Sequence, residues 1–128
     1  MVDDGVKKLA TGPNFGTITT LMRDGSPATH VMWVDADDEH VIVNTETGRM
    51  KYRNVKRDPR VVVTILDMDN PYSYAEVRGV VAEEVRGPEA RAHIDALSQK
   101  YNGRPYSDDW IGTERVILKI RPLRQRTS

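Results

Sequence analysis

A chain of 128 residues has room for one domain, expected over residues 1–128, which should bury roughly two-thirds of its unfolded surface. Its 19 basic and 19 acidic residues cancel, which argues against a general nucleic-acid-binding protein, because such domains are strongly basic. Cysteine is absent and the three histidines lack ligand-like spacing, so thiolate chemistry is excluded and no metal site is predicted.

The N-terminal residues, 1–15, lack the apolar core of a secretory signal, and no later run is long enough to span a bilayer. We therefore expect a soluble cytoplasmic protein with no membrane partner. Residues 5–12 suit a short helix, and Phe15 to Met22 has the threonine and isoleucine content of a strand. Asp24-Gly25 then predicts a hairpin turn, because this pair readily adopts positive φ angles.

The next strand, Pro27 to Asp35, alternates between two faces that both carry apolar side chains. It is therefore predicted to touch protein or ligand on both sides. A polar turn over residues 35–39 leads into a further strand, His40 to Glu46.

A basic segment follows, in which six of the 19 basic residues occupy positions 49–60. Turn-forming residues precede it and Pro59 follows it, so it is predicted to form a short helix between two strands. At about 100° per residue, one face of a helix over 48–57 carries Tyr52, Lys56, Arg49, Arg53 and Arg57, and the other carries Met50, Asn54, Lys51 and Val55.

Lys51 lies on the face that Met50 and Val55 mark as the packed one, where an unpaired ammonium group is costly. Together with Arg49 and the free N–H groups of a helix N-terminus, it suits a bound phosphate or carboxylate. Two other interpretations stay open. The helix is a solvated basic surface along which Lys51 extends to water, or Lys51 pairs with a carboxylate of the protein itself.

The strand after this helix, Val61 to Leu66, is almost unbroken apolar sequence, which predicts burial on both of its faces. In a small one-layer barrel, the outer face is covered most simply by a second copy of the chain. We therefore expect a homodimer, in which an acidic substitution at Ile65 disrupts the contact.

Three further elements complete the predicted fold. They are a long strand from Tyr72 to Val85, a helix that opens at Gly87-Pro88, and a last strand with Val116, Leu118 and Ile120 on its inner face. Gly79 is expected to allow a bend or a close backbone contact. The total of six strands and about three short helices, without repeated strand–helix units, favours a mainly β fold built as an antiparallel barrel.

Several short motifs occur in a characteristic order: Gly25-Ser26-Pro27, Met32-Trp33, Asn44-Thr45, Arg49-x-Lys51-x-x-Asn54-x-x-Arg57-Asp58-Pro59-Arg60, and Tyr72-Ser73-Tyr74 before Gly79. This order, over residues 15–120, resembles the pyridoxamine 5'-phosphate oxidase-like FMN-binding split-barrel family. Within that family it is most similar to the actinobacterial branch of flavin- or deazaflavin-dependent oxidoreductases.

The resemblance implies a six-stranded antiparallel split β-barrel that forms a homodimer, with each cofactor in a groove between the two chains. Lys51 and the turn of Thr47, Gly48 and Arg49 would hold the cofactor phosphate, and Thr45 would add a hydroxyl contact. The segment Thr29, His30, Val31 and Met32 would border the ring system, and Tyr72 and Ser73 would reach the cofactor from the partner chain.

The resemblance also implies an oxidoreductase that transfers hydride to a conjugated small-molecule acceptor. Coenzyme F-420, a deazaflavin with an acidic tail, is favoured because the basic face of the helix exceeds what one phosphate needs. FMN, in an oxidase, a reductase or a flavin-binding protein, is the alternative. A non-catalytic cofactor- or haem-binding module on the same fold is the second alternative.

Two aromatic residues, Tyr74 and Trp110, are candidates to line the substrate pocket. His30 is the one candidate proton donor, since hydride chemistry is carried by the cofactor and requires no particular catalytic side chain. Each of these three residues has a plainer interpretation as part of the core or of an interface.

Overall fold

One antiparallel sheet forms the body of the protein in the computed structural model, which describes residues 1–128. Its strands are β1 (Phe15–Leu21), β2 (Pro27–Trp33), β3 (Asp35–Ala36), β4 (Val41–Glu46), β5 (Arg60–Leu66), β6 (Tyr74–Arg86) and β7 (Arg115–Thr127). Their order across the sheet is β2-β1-β5-β6-β7-β4-β3. This curled, open sheet confirms the predicted split-barrel class.

The predicted number of strands was wrong by one. The strand from Pro27 was predicted to end at Asp35 and a turn to cover residues 35–39, but Asp35 and Ala36 form a separate strand, β3, where Asp35 pairs with Ile42 and Ala36 pairs with Val41. The strand is only two residues long, too short for an alternating pattern to mark it in the sequence. The sheet therefore has seven strands instead of six.

Three α-helices flank the sheet, as predicted: α1 (Asp4–Thr11), α2 (Met50–Arg57) and α3 (Pro88–Asn102). With 15 residues, α3 is longer than the short helices that were expected. It begins with proline in its first turn and ends at Gly103, whose left-handed φ of 72° suits glycine. A 3-10 turn covers Asp108–Trp110. None of the helices is long and apolar enough to cross a membrane.

The core lies inside the curl of the sheet, where alternating residues of the strands meet. Val116, Leu118 and Ile120 are completely buried, as their spacing predicted. Ile65 is also completely buried on this inner side. The expectation that an acidic residue at Ile65 would act on a dimer contact was therefore wrong, because the charge would enter the core of the same chain.

The outer side of β5 is only partly covered within one chain. Val62 and Thr64 are half-buried and Leu66 is exposed, whereas the alternate residues Val61 and Val63 are buried. Register pairs Val62 with Thr19 of β1 and with Arg78 of β6, so these three positions share the outer face. Burial of this face remains a prediction that requires a second chain.

The packed face of helix α2 was predicted only in part, because Asn54 and Val55 are buried as expected but Met50 and Tyr52 have exchanged places. Tyr52, Asn54 and Val55 are buried, whereas Met50 is 45% exposed. Tyr52 was assigned to the solvated basic face, but its hydroxyl group donates to Glu84 at 3.2 Å and accepts from Arg86. Partners on β6, distant in the sequence, therefore allow this phenol to be buried.

Candidate functional site

A cleft of about 330 Å³ opens at the gap between the edge strand β2 and the strand β4. Its apolar wall is formed by Phe15, Val31, Met32, Trp33, Ile94, Leu97 and Tyr106. Its polar wall is formed by Asn44, Thr45, Arg49, Lys51 and Arg115. The cleft thus has an apolar side contributed by β2 and α3, and a cationic side contributed by β4, α2 and β7.

Lys51 presents an ammonium group to this cleft from the first turn of α2. The residue is half-buried, yet no carboxylate or other protein group lies within hydrogen-bonding or ion-pairing distance of its nitrogen. Burial lowers the pKa of Lys51 below its usual range, and the charges of Arg49 and Arg115 lower it further. Of the interpretations left open by the sequence, the one in which Lys51 pairs with a protein carboxylate is therefore wrong.

Arg115 is a second cation on the same wall, and its guanidinium group is held on several sides. Its Nε donates to Asn44 Oδ1 at 2.8 Å, and its Nη1 donates to Glu46 Oε2 at 3.2 Å. Its central carbon, Cζ, lies over the ring of Tyr106, 5.4 Å from the ring centroid. These contacts leave Nη2 without a protein partner, on a residue that lines the cleft.

Glu46 is the one carboxylate among these cations, and its two oxygens serve different parts of the site. Oε1 accepts from the backbone N–H groups of Gly112 at 2.9 Å and Thr113 at 2.6 Å, and from the Thr113 hydroxyl group at 3.1 Å. Oε2 faces Arg115 and, at 3.8 Å, Arg49. Burial opposes ionisation, but these hydrogen bonds and Arg115 hold the pKa of Glu46 below its usual range.

The balance of charge at the cleft is therefore positive. Arg49, Lys51 and Arg115 provide three cations, and Glu46 provides one anion that is already shared between the two arginines. Two positive charges remain uncompensated by the protein in a partly desolvated site. An anion of about two negative charges, such as a phosphomonoester or a phosphate with a nearby carboxylate, is the complementary ligand.

A stack of aromatic rings supports the apolar wall. Tyr101 is nearly parallel to Trp33, with centroids 5.2 Å apart, and it also contacts Phe15 at 5.5 Å. The ring of Tyr106 lies edge-on to that of Trp33, with centroids 6.2 Å apart, and edge-on to that of Trp110, with centroids 5.1 Å apart. The wall is thereby rigid and preformed, as planar ligand sites require.

The structure brings five of the predicted site residues together in the cleft: Val31, Met32, Thr45, Arg49 and Lys51. Thr47 and Gly48 lie in the adjoining turn, where the Gly48 N–H group donates to the Thr113 hydroxyl group at 3.0 Å. The remaining candidates, Thr29, His30, Tyr72, Ser73, Tyr74 and Trp110, do not line the cleft of this chain. Tyr72 is 89% exposed, so its predicted contact with a cofactor of the partner chain stays a prediction.

The sequence did not reveal Asn44, Tyr106 and Arg115 as site residues. Because Val116, Leu118 and Ile120 were predicted to form the inner face of the last strand, the alternate position of Arg115 implied an outward-facing side chain. At the start of β7, however, the outward side faces the cleft, and Arg115 lies opposite its register partner Glu46 of β4. The pairing of β4 with β7 was the missing information.

The basic face of α2 is only partly available for a ligand. Lys56 pairs with Glu84 at 3.4 Å, and Arg57 donates to Leu21 O at 3.1 Å and Asn54 Oδ1 at 2.8 Å. Arg53 donates to Gly48 O at 2.9 Å and has no carboxylate partner. Of this basic face, Arg49 alone lines the cleft.

Comparisons with known proteins identify close structural relatives. A family model described as pyridoxamine 5'-phosphate oxidase matches residues 2–127. A solved structure described as an F420 reductase aligns with a TM-score of 0.83 and 36% identity, covering 98% of each chain. A conserved hypothetical protein of Mycobacterium tuberculosis aligns with a TM-score of 0.77 and 29% identity, covering 99% of this chain and 84% of that one.

More distant structures share the fold alone. General stress protein 26 of Bacillus anthracis aligns with a TM-score of 0.71 at 19% identity, covering 97% of this chain and 91% of that one. Among curated protein sequences, none matches the chain significantly.

Proposed function

Because the chain belongs to the pyridoxamine 5'-phosphate oxidase family, we propose that it is an oxidoreductase whose cleft binds coenzyme F-420 through the phosphate-bearing part of that cofactor. The observation that carries this proposal is the pair of unpartnered cationic groups, Lys51 Nζ and Arg115 Nη2, on one wall of the cleft. A free, partly buried ammonium group is costly unless a ligand supplies the missing charge.

The residues present fit such a cofactor in two respects. Arg49, Lys51 and Arg115 would hold the phosphate, with the hydroxyl group of Thr45 beside them on the same wall. The apolar wall, which includes Met32 and Trp33, would accept part of a flat ring system and keep water away from it.

When bound, a reduced deazaflavin supplies a hydride to an acceptor with a polarised, conjugated double bond. The residues of the chain bind and orient the partners of that transfer. The aromatic stack and Arg115 are held by protein contacts before any ligand enters, whereas Lys51 is left free to meet the ligand.

Two observations favour the deazaflavin over FMN. The similar structure with 36% identity is described as an F420 reductase. In addition, Arg53 lies one helical turn from Arg49 and has no carboxylate partner, so it extends the cationic surface beyond the cleft toward the side where an acidic tail would continue. FMN, which ends in its phosphate, would leave Arg53 with its hydrogen bond to Gly48 O but without a ligand contact.

We also propose that the protein acts as a homodimer. Val31 is 71% exposed on the edge strand beside the cleft, and the outer face of β5 is only partly covered. Apolar residues on a sheet face next to a ligand cleft are explained if a second chain covers them and closes the cleft.

Titration of the purified protein with coenzyme F-420 and, in parallel, with FMN tests the proposal, with ligand fluorescence as the readout. We expect tighter binding of F-420, followed by oxidation of its reduced form when conjugated acceptors are added. Preferred binding of FMN would assign the protein to the flavin alternative, and binding of neither ligand would overturn the proposal.

A matched pair of variants on α2 separates the cleft from the general charge of the helix. Lys51→Ala is expected to weaken F-420 binding about tenfold or more, because it removes one charge-assisted contact. Lys56→Ala removes an equal charge from a residue that is paired with Glu84 and does not line the cleft. Lys56→Ala should therefore leave the affinity for F-420 nearly unchanged. Equal losses of affinity in Lys51→Ala and Lys56→Ala would contradict the assigned site.

A further inference from the structure

A chain of hydrogen-bonded polar side chains, partly buried at Asp35 and His93 and buried at Asn44, runs from β3 through α3 and β4 to the cationic wall. Asp35 Oδ2 lies 3.1 Å from His93 Nε2, and His93 Nδ1 lies 3.1 Å from Asn44 Nδ2. Asn44 Oδ1 in turn accepts from Arg115 Nε at 2.8 Å. His93 does not line the cleft, and the function proposed above gives it no role.

Only one orientation of the Asn44 amide satisfies all its neighbours. Its Nδ2 donates to Ala90 O at 3.0 Å and to His93 Nδ1, and its Oδ1 accepts from Arg115. A flipped amide would oppose an N–H donor to the Arg115 Nε–H and an oxygen to the Ala90 carbonyl group. Since Asn44 is buried, water cannot relieve either mismatch.

The tautomer of His93 follows from the same network. Nδ1 accepts from Asn44, so the proton of the neutral ring is on Nε2, which donates to Asp35. Burial opposes ionisation of Asp35, but the hydrogen bond from His93 and that from the Ala36 N–H group hold its pKa below its usual range. The ionised carboxylate of Asp35 therefore fixes the tautomer and orientation of the His93 ring. The ring in turn fixes the orientation of the Asn44 amide.

We propose that His93 is a positioning residue for anion binding: through Asn44, it aims the free Nη2 group of Arg115 at the phosphate of the bound cofactor. The guanidinium group is then fixed at Nε by Asn44, at Nη1 by Glu46 and on its face by Tyr106, with one N–H fork left for the ligand. This role rests on the proposed function, and it explains a partly buried histidine outside the cleft.

The test compares ligands that differ in the phosphate. For each pair we take the dissociation constant of the phosphate-free ligand divided by that of the phosphate-bearing ligand. The pair of riboflavin and FMN reports the phosphate contact alone. The pair of the F-420 chromophore and F-420 reports the phosphate together with the tail. Arg115→Met should lower this ratio about tenfold, and His93→Leu should lower it about threefold or more. Thermal melting of each variant is measured alongside, because a merely structural role would lower stability and weaken both ligands of a pair equally.

A conservative variant provides the rescue. The side-chain amide of His93→Gln has an oxygen that accepts from Asn44 and an N–H group that donates to Asp35, so the ratio should stay near the wild-type value. Asp35→Ala, at a residue that is one-third exposed, tests the far end of the chain if His93→Leu does not fold, and it should also lower the ratio.

The outcomes separate the two proposals. If the wild-type protein binds none of the four ligands, the proposed function fails. If it binds them, but His93→Leu or Asp35→Ala retains the full ratio, the positioning role is overturned. An equal loss in His93→Gln and His93→Leu would also overturn it, because hydrogen bonding of the ring would then not be what matters.

Discussion

Arg115 Nη1 lies 3.2 Å from Glu46 Oε2, and the two side chains are only 9% and 4% exposed. The same glutamate holds the backbone of Gly112 and Thr113 with its other oxygen. One buried carboxylate therefore joins the cationic wall of the cleft to the loop that carries Tyr106. The position of this loop and the orientation of the Arg115 side chain are therefore coupled through Glu46.

Glu46→Gln should lower the free energy of unfolding by about 3 kcal/mol or more, because it leaves the buried guanidinium group of Arg115 without its counter-charge. Urea denaturation measures this change. Glu114→Gln is the matched control, since Glu114 is exposed and pairs with Arg86 at 3.5 Å on the surface. Glu114→Gln should lower the free energy of unfolding by less than about 1 kcal/mol. An equal decrease in both variants would argue against a special role for Glu46.

Anion binding should weaken as pH rises through the alkaline range. In the free protein, burial and neighbouring arginines hold the pKa of Lys51 below its ordinary value of 10.5. A bound anion favours the charged ammonium group and so raises this pKa, and binding takes up a proton at pH values between the two. The dissociation constant of the phosphate ligand measured from pH 7 to 10 should therefore increase.

The variant Lys51→Arg is the control for this pH dependence, because a guanidinium group keeps its proton across that range. Its binding curve should be flatter than that of the wild type. Parallel curves for the two proteins would assign the pH dependence to another group.

Gly79→Ala should lower the free energy of unfolding by about 1–3 kcal/mol, because the new methyl group has no space. A Cβ atom at Gly79 would lie 2.3 Å from Arg121 O, at the irregularity where β6 shifts register against β7. Thermal or urea denaturation measures the effect. Gly112→Ala, whose Cβ would lie 3.5 Å from Glu46 Oε1, should stay within about 1 kcal/mol of wild type.

Val62→Asp should convert the proposed dimer to a monomer without unfolding it. Val62 is half-buried on the outer face of β5, so a carboxylate there remains hydrated in the single chain but is desolvated beneath a partner. Sedimentation velocity measures the mass, with Val62→Thr as a control of similar shape. A Val62→Asp variant that keeps the dimeric mass would exclude this face from the interface.

The sequence was sufficient for elements whose signals are local. The start of α3 at Pro88 and its end at Gly103 follow from the fixed φ of proline and the left-handed φ that glycine adopts freely. The close backbone contact at Gly79 was also anticipated. The burial of Tyr52 on α2 was not anticipated, because it depends on Glu84 and Arg86, more than thirty residues further along the chain.

By itself, the sequence determined the alternating strands and the basic segment around Lys51, because each depends on residues close together along the chain. It also determined the family resemblance, because that depends on the order of short motifs along the chain. Only the tertiary structure decided that Lys51 has no carboxylate partner and that Arg115 shares its wall. Asn44 and Arg115 are 71 positions apart, and the pairing of β4 with β7 brings them into contact. Local spacing fixes which side a residue takes on its own strand, whereas sheet pairing decides which charges meet across a cleft.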